Sequence, residues 1–290
     1  MTALSREQID HFHRHGYVVA EGGVDARRLA ALRAEVSVWI EDSRAHARNY
    51  GETIDGRARF DLESGHDAKT PRLRRVSNPQ EVSDVFLDTI HQAPLVDMVA
   101  ALIGPDVKFH HAKLNLKQPG TGVVAGWHQD HPFDPHSNDD VVVSLLMLDD
   151  MTPENGALRV VPGSHRGPHH SHWRDDRFVG EIAPEVAAAL EPKSVAVTGR
   201  AGDVCLMHTW MVHGSPANRS ARPRTLFICD FTAADAVPLT APSMPNRQLG
   251  TVVRGAPCRV ARLIDDRIEL PEPYGEASFF ELQGQKPAAE

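Results

Sequence analysis

The sequence predicts a mainly β fold with flanking helices, and three observations carry that reading. Apolar residues at helical spacing are confined to residues 1–105. From residue 106 onward, short β-branched or alternating runs recur between Pro, Gly, Asn and Asp, the texture of a β-sandwich or barrel. No internal repeat, low-complexity tract or interdomain linker interrupts the 290 residues, so helices should pack outside a β core in a single domain spanning 1–290.

The elements follow in order. Ser5 caps a helix that starts at Arg6-Glu7-Gln8, carries Ile9 and Phe12 at helical spacing and stops at Gly16. Tyr17-Val18-Val19-Ala20 is a short strand, and Asp25 caps a second helix that runs through Leu29 and Leu32 to about Ile40. Residues 43–78 are polar, rich in Asp, Arg and Gly and weakly periodic, which reads as a long loop of the kind that serves as a lid or binding loop. Pro79 to Ile103 is helical again, with Val85, Phe86, Ile90, Leu95, Val96, Val99 and Leu102 on one apolar face, and Gly104-Pro105 ends it. Strands then fall at 107–118, 140–149, 157–162, 194–198, 203–208 and 224–231. The domain thus divides into a helical part at 1–105, a β core at about 106–235, and a C-terminal extension at 236–290 whose short apolar runs (Thr251-Val252-Val253, Phe279-Phe280) fix no position.

Composition narrows the class of function. Hydrophobic residues make up 41% and charged residues 24%, as in an ordinary globular protein. A formal net charge of −8 argues against nucleic acid and against an anionic membrane surface as partners. No apolar run reaches the ~20 residues of a membrane helix, and Met1-Thr2-Ala3-Leu4-Ser5-Arg6 lacks the apolar core of a signal peptide. Cys205, Cys229 and Cys258 are too widely spaced for a disulfide framework or a zinc knuckle. The expectation is a cytoplasmic protein with reduced thiols and a small-molecule substrate. The extension could cover the β core or pair with another subunit in a homo-oligomer.

The chemistry centres on Trp127-His128-Gln129-Asp130-His131. In an extended strand, residues i and i+2 project from one face, so His128 and Asp130 can supply half of a metal site. The motif follows the turn Pro119-Gly120-Thr121-Gly122 and precedes the β run Val141-Val142-Val143-Ser144-Leu145-Leu146. Downstream, His208 and His213 are candidates for the third ligand. His213 is favoured, because His213-Gly214-Ser215 ends an apolar run and an arginine lies eleven residues on. His128, Asp130 and His213 would form the 2-His-1-carboxylate triad that leaves positions open on non-haem Fe(II).

These motifs resemble a known family. Trp127-His128-Gln129-Asp130, then Glu154-Asn155-Gly156-Ala157-Leu158-Arg159-Val160-Val161-Pro162-Gly163-Ser164-His165, then Gly202-Asp203-Val204 followed by His213-Gly214-Ser215, Asn218, Ser220 and Arg224, are similar to the phytanoyl-CoA dioxygenase family of Fe(II)/2-oxoglutarate oxygenases. The likeness runs from the N-terminal helix to about residue 231. It implies a double-stranded β-helix (jelly-roll, cupin-like) core, iron held by His128, Asp130 and His213, and 2-oxoglutarate and O2 as co-substrates. It further implies substrate oxidation with release of succinate and CO2. An intact Asp130 favours hydroxylation over halogenation, because related halogenases carry a small residue in its place; desaturation, epimerisation and ring closure stay open.

The resemblance also assigns the co-substrate contacts. Arg224 matches the family's arginine, and a planar guanidinium suits the distal carboxylate of 2-oxoglutarate; Arg222 is the weaker candidate. Ser215 matches the hydroxyl at that end, and Lys117 the lysine before the Pro-Gly turn. Asn115 is a second contact on the same strand face as Lys117 and Lys113. That face is either an inward polar wall or the solvent side of an edge strand, and for Lys113 the two readings weigh equally. The Asn155-Gly156 turn and His165 read as structural.

For the substrate, the expected rim is residues 43–78, His131 to His136, and 166–180 with Trp173. His131, Phe133, Trp210, Lys113 and Arg74 are candidate contacts, and Trp127 is either aromatic wall or core. Arg74 belongs to the basic cluster Arg72, Arg74, Arg75, which meets either an anionic substrate or only solvent. The other histidines (His110, His111, His136, His169, His170, His172) read as mostly loop or rim residues. The substrate expected is a small or medium-sized metabolite of natural-product, amino-acid-like, phosphonate or acyl type. Two other classes compete: a cupin-like metal-dependent hydrolase or isomerase, which would not need Arg224, and a non-catalytic jelly-roll binding module.

Overall fold

Ser5 and Gly16 bracket α1 (Arg6–His15) as their chemistry requires. Ser5 Oγ accepts from Gln8 N and the Gln8 side chain accepts from Ser5 N, while Gly16 closes the helix in the left-handed region at φ 82°. The chain then enters β1 (Tyr17–Ala20), and α2 (Ala26–Ser43), capped by Asp25, runs past Ile40 to Ser43. The structure, a computed structural model, describes residues 4–92, 94–264, 267–271 and 279–284. The parts of the C-terminal extension at 265–266, 272–278 and 285–290 lie outside the described residues.

Residues 43–78 are not a loop. They form β2 (Tyr50–Glu52), β3 (Ala58–Leu62) and β4 (Leu73–Ser77), which extend the main sheet. Their polarity hides the strands, because the charged residues are buried as ion pairs. Arg59 meets Glu81 at 2.9 Å and Arg74 meets Asp61 at 3.0 Å, while Leu62, Leu73 and Val76 enter the core. A polar pattern suggests solvent only when charges are not paired inside.

After a 3-10 turn at Pro79–Glu81 come α3 (Asp84–Ile90) and α4 (Leu95–Ile103). The stretch Asp84–Ile103 is, against expectation, long and apolar enough by length and composition to cross a membrane. It breaks before Pro94, and Phe86, Ile90, Leu95 and Val99 are fully buried in the core, where each contributes roughly 1.5–3 kcal/mol.

The remaining elements are β5 (Val107–Lys117), β6 (Ala125–His128), β7 (Val141–Met147), β8 (Arg159–Val160), the hairpin β9 (Trp173–Arg174) and β10 (Arg177–Phe178), α5 (Pro184–Leu190), β11 (Val195–Ala196), β12 (Val204–His208), β13 (His213–Ser215), β14 (Arg224–Ala233), β15 (Val252–Arg254) and α6 (Phe279–Leu282). The fold is mainly β with few helices. The main sheet has the order β1-β12-β7-β14-β5-β4-β3-β2, with β15 on β5, and a smaller sheet has the order β11-β8-β13-β6. Strand alternation gives the main sheet two buried faces. Leu114, Leu146, Leu206 and Phe227 join the core that holds the residues of α1–α4. Val143, Leu145, Met207, Leu226 and Ile228 meet Leu158 and Val160 of the smaller sheet.

One irregularity matters for the site. Along β14 and β5, Asp230 pairs with His111 but Phe231 pairs with Phe109, so His110 is an extra residue in a bulge. His110 and His111 are both buried there, as are His131, His136 and His172, so these five are not rim residues. The C-terminal extension returns over the same end: Asn246 donates to His110 O, and Ser243 donates to Asp134.

Candidate functional site

The three expected metal ligands converge. His128 ends β6, and His213 opens β13 directly opposite it in antiparallel register, which sets the two imidazole centroids 4.1 Å apart. Asp130 lies past the end of β6, so strand alternation is not what delivers it. A turn does: the N–H groups of Asp130 and His131 both donate to Thr209 O. Gln129, between the ligands, is held from both sides, donating N–H to His172 Nε2 and its side-chain amide to Trp210 O. Asp130 Oδ1 then lies 3.6 Å from His128 Nε2, and its Oδ2 lies 3.6 Å from His213 Nε2. One ligand atom from each residue lies within 4.8 Å of the others.

The tautomers are set by backbone. His128 Nδ1 donates to Gly126 O at 2.7 Å and His213 Nδ1 to Met211 O at 2.9 Å, which leaves both Nε2 lone pairs toward Asp130. Burial, with His213 beside it, holds the His128 pKa well below its usual value, so that ring is neutral, the form that binds metal. Two imidazoles and one carboxylate on one side fit a divalent non-haem iron, with the other side open. His208 is elsewhere: it ends β12, accepts from Trp210 N and packs against Phe12 and His165.

Beside the triad is an inner cavity of about 60 Å³ between the sheets, lined by Lys113, Asn115, Lys117, Ser215 and Arg224 and by apolar residues including Val143, Met207, Leu226 and Ile228. Lys113, Asn115 and Lys117 therefore face inward, not to solvent. Lys117 and Arg224 stand directly opposite each other in the register of β5 and β14. Lys117 Nζ donates to Ser215 Oγ at 2.8 Å, to Ser215 O at 3.2 Å and to Pro216 O. Gly156 makes room for this, since at φ 82° a Cβ would stand 2.7 Å from Pro216 O and 3.0 Å from Lys117 Cδ. Burial and the neighbouring Arg224 push the Lys117 pKa down to about 5, and burial lowers that of Arg224 to about 10. Arg224 Nε and Asn115 Oδ1 are buried without a partner. A buried guanidinium needs a counter-charge, and a carboxylate brought beside Lys117 would favour its protonated form. The pair therefore fits a dicarboxylate such as 2-oxoglutarate.

An outer cavity of about 130 Å³ shares Arg75, Lys113, Asp130 and Phe279 with the inner one. Of the expected substrate contacts, Phe133 lines it, 5.8 Å from the His128 ring, and Lys113 lines both cavities. Arg74 reaches the inner cavity but is buried against Asp61. His131 and Trp210 stack on each other at 4.3 Å and line neither cavity. Segment 166–180 lines neither as well, and Trp127 packs with Val161, Ile182 and Val212. The residues that sequence reasoning missed are His111 and Asp230, while Arg75, named there only as part of a basic cluster, lines both cavities. Asp230 left one signal, an acid inside the apolar run Phe227-Ile228-Cys229-Asp230-Phe231. Burial pushes its carboxyl up to about 7, against the pull of Lys113.

Comparison with known proteins agrees with this geometry. The family model described as Phytanoyl-CoA dioxygenase (PhyH) matches residues 12–226. The chain is 29% identical over 282 residues to a probable alpha-ketoglutarate-dependent hypophosphite dioxygenase of Stutzerimonas stutzeri, covering 94% of this chain and 95% of that one. It is 30% identical over 217 residues to the L-proline trans-4-hydroxylase of Streptomyces griseoviridis, covering 66% of this chain and 79% of that one. The crystal structure of EctD from S. alaskensis with 2-oxoglutarate and 5-hydroxyectoine superposes with a TM-score of 0.65 at 26% identity, covering 89% of this chain and 88% of that one.

Proposed function

The chain belongs to the phytanoyl-CoA dioxygenase family, and from that premise we propose that His128, Asp130 and His213 hold Fe(II) while Arg224, Ser215, Lys117 and Asn115 receive 2-oxoglutarate. The protein is an Fe(II)- and 2-oxoglutarate-dependent dioxygenase that acts on a small molecule. The reaction assigned to it is hydroxylation, and the two facing sheets are read as a double-stranded β-helix within one domain at 1–290. The observation that carries the site assignment is the triad opening onto a cavity that ends in the buried Lys117 and Arg224.

When bound, iron supplies O2 activation coupled to oxidative decarboxylation of 2-oxoglutarate to succinate and CO2. The side chains do the rest. Arg224 takes the distal carboxylate as a two-pronged donor, and Lys117, already fixed by Ser215, adds a second positive contact. Leu226, Ile228, Val143 and Met207 keep water from the co-substrate. The backbone bonds at Nδ1 keep both imidazoles oriented. The substrate enters the outer cavity, whose wall includes the metal-binding carboxylate of Asp130.

The test is anaerobic addition of Fe(II) and 2-oxoglutarate, which should give a weak visible charge-transfer band, followed in air by succinate release. Asp130→Ala and Arg224→Ala should abolish the band or weaken it severely. If both variants keep the band and the turnover, the site assignment is wrong.

A further inference from the structure

We propose that Asp230 and Lys113 form a two-ended recognition pair that selects a small zwitterionic substrate, Asp230 taking a protonated amine and Lys113 a carboxylate. The proposal rests on the dioxygenase reading and narrows its substrate class. Its first support is position. Asp230 pairs with His111 and Ile228 pairs with Lys113 in the register of β14 and β5, so Asp230 and Lys113 are diagonal neighbours, with Cα atoms roughly 7–8 Å apart. Both line the outer cavity, as does Asp130.

The second support is what remains after the charges in that wall are paired. Asp61 is matched by Arg74, Asp55 by Arg57, and Asp134 by His110 and Ser243. Asp230 Oδ1 is buried with no partner, and its Oδ2 stands 3.7 Å from His111 Nε2, beyond hydrogen-bond reach. Lys113 Nζ makes no hydrogen bond or salt bridge among the described residues. Arg75, the other cation of that wall, donates to Met244 Sδ and is engaged by its neighbours, so with Asp130 given to the triad one carboxyl group, Asp230, and one ammonium group, Lys113, are left for a ligand.

The choice among ligands follows from charge. A simple oxyanion would satisfy Lys113 but face the carboxyl groups of Asp230 and Asp130. A simple amine would satisfy Asp230 and leave Lys113 unmatched. A molecule carrying both groups satisfies both ends at no net charge, and Phe133 offers its carbon skeleton an apolar wall.

The experiment uses the full-length enzyme loaded anaerobically with Fe(II) and 2-oxoglutarate. Free protein L-amino acids, their N-acetyl derivatives and their methyl esters are added, with hypophosphite and methylphosphonate as oxyanion probes. Binding is read from the shift of the charge-transfer band and by calorimetry. At least one free amino acid should shift the band, and masking either end should remove that shift. Asp230→Asn should weaken its binding about tenfold or more, measured against the variant's own band before addition. The series of masked ligands on the wild-type enzyme needs no variant and stands if Asp230→Asn fails to fold. The proposal is overturned if no free amino acid shifts the band, if an N-acetyl derivative binds as tightly as its parent, or if an oxyanion binds more tightly than every amino acid. A failure to form the band with Fe(II) and 2-oxoglutarate alone would overturn the dioxygenase reading as well, and so separates the two.

Discussion

Replacing Arg224 with leucine should move stability and co-substrate affinity in opposite directions. Arg224 is 3% exposed, faces Lys117 across the strands and leaves Nε without a partner. Without co-substrate its desolvation is poorly compensated, so Arg224→Leu should leave the protein as stable or more stable, by up to ~1–4 kcal/mol. With 2-oxoglutarate the sign reverses. Losing one partner of a buried charge pair costs ~2–5 kcal/mol of binding, at least about thirtyfold in Kd. At a concentration one hundred times the wild-type Kd, 2-oxoglutarate should stabilise the wild type by ~2.7 kcal/mol, and the variant by about 0.9 kcal/mol or less. The assay is thermal and urea unfolding with a redox-inert divalent ion, with and without 2-oxoglutarate, beside calorimetric titration. An undiminished shift in Arg224→Leu would refute the carboxylate contact. A large loss of stability without co-substrate would show instead that Asp149, whose charge acts on Arg224, already compensates it.

Four further outcomes are expected. Burial and Arg224 lower the Lys117 pKa in the folded protein to about 5, against an ordinary 10.5 in the unfolded chain; its contribution to stability therefore rises with pH across that window, and Lys117→Met should flatten the slope. A carboxylate beside Lys117 should restore the proton, so calorimetry at neutral pH in buffers of different ionisation enthalpy should show uptake of up to one proton per 2-oxoglutarate; equal uptake in Lys117→Met would count against this. Gly156→Ala should destabilise by about 1 kcal/mol or more and weaken 2-oxoglutarate binding, because the new Cβ displaces Pro216 or Lys117; unchanged affinity in a folded variant would disprove the link. Arg59→Met should cost ~3–5 kcal/mol by stranding Glu81 in the interior, and a urea midpoint near that of the wild type would contradict the buried pair.

Local chemistry made much of this protein legible. Ser5 and Gly16 mark α1 because capping and left-handed geometry are decided within a few residues. The strands of the core announce themselves as β-branched runs between turn residues, and His128, Asp130, His213 and Arg224 could be named because each sits in a motif of fixed spacing. Other features depend on partners far away in the chain. β3 and β4 were hidden because Arg59 finds Glu81 and Asp61 finds Arg74 only when the chain is folded. His131 and Trp210, near the motifs in sequence, turn to each other and away from the cavities. The sequence by itself thus determined a mainly β fold and singled out His128, Asp130, His213 and Arg224 as candidates, since these are written in short-range pattern. Only the tertiary structure decided which charges are left unpaired beside that cluster. Pairing is a sum over the whole wall, and it leaves Asp230 and Lys113 facing one small space.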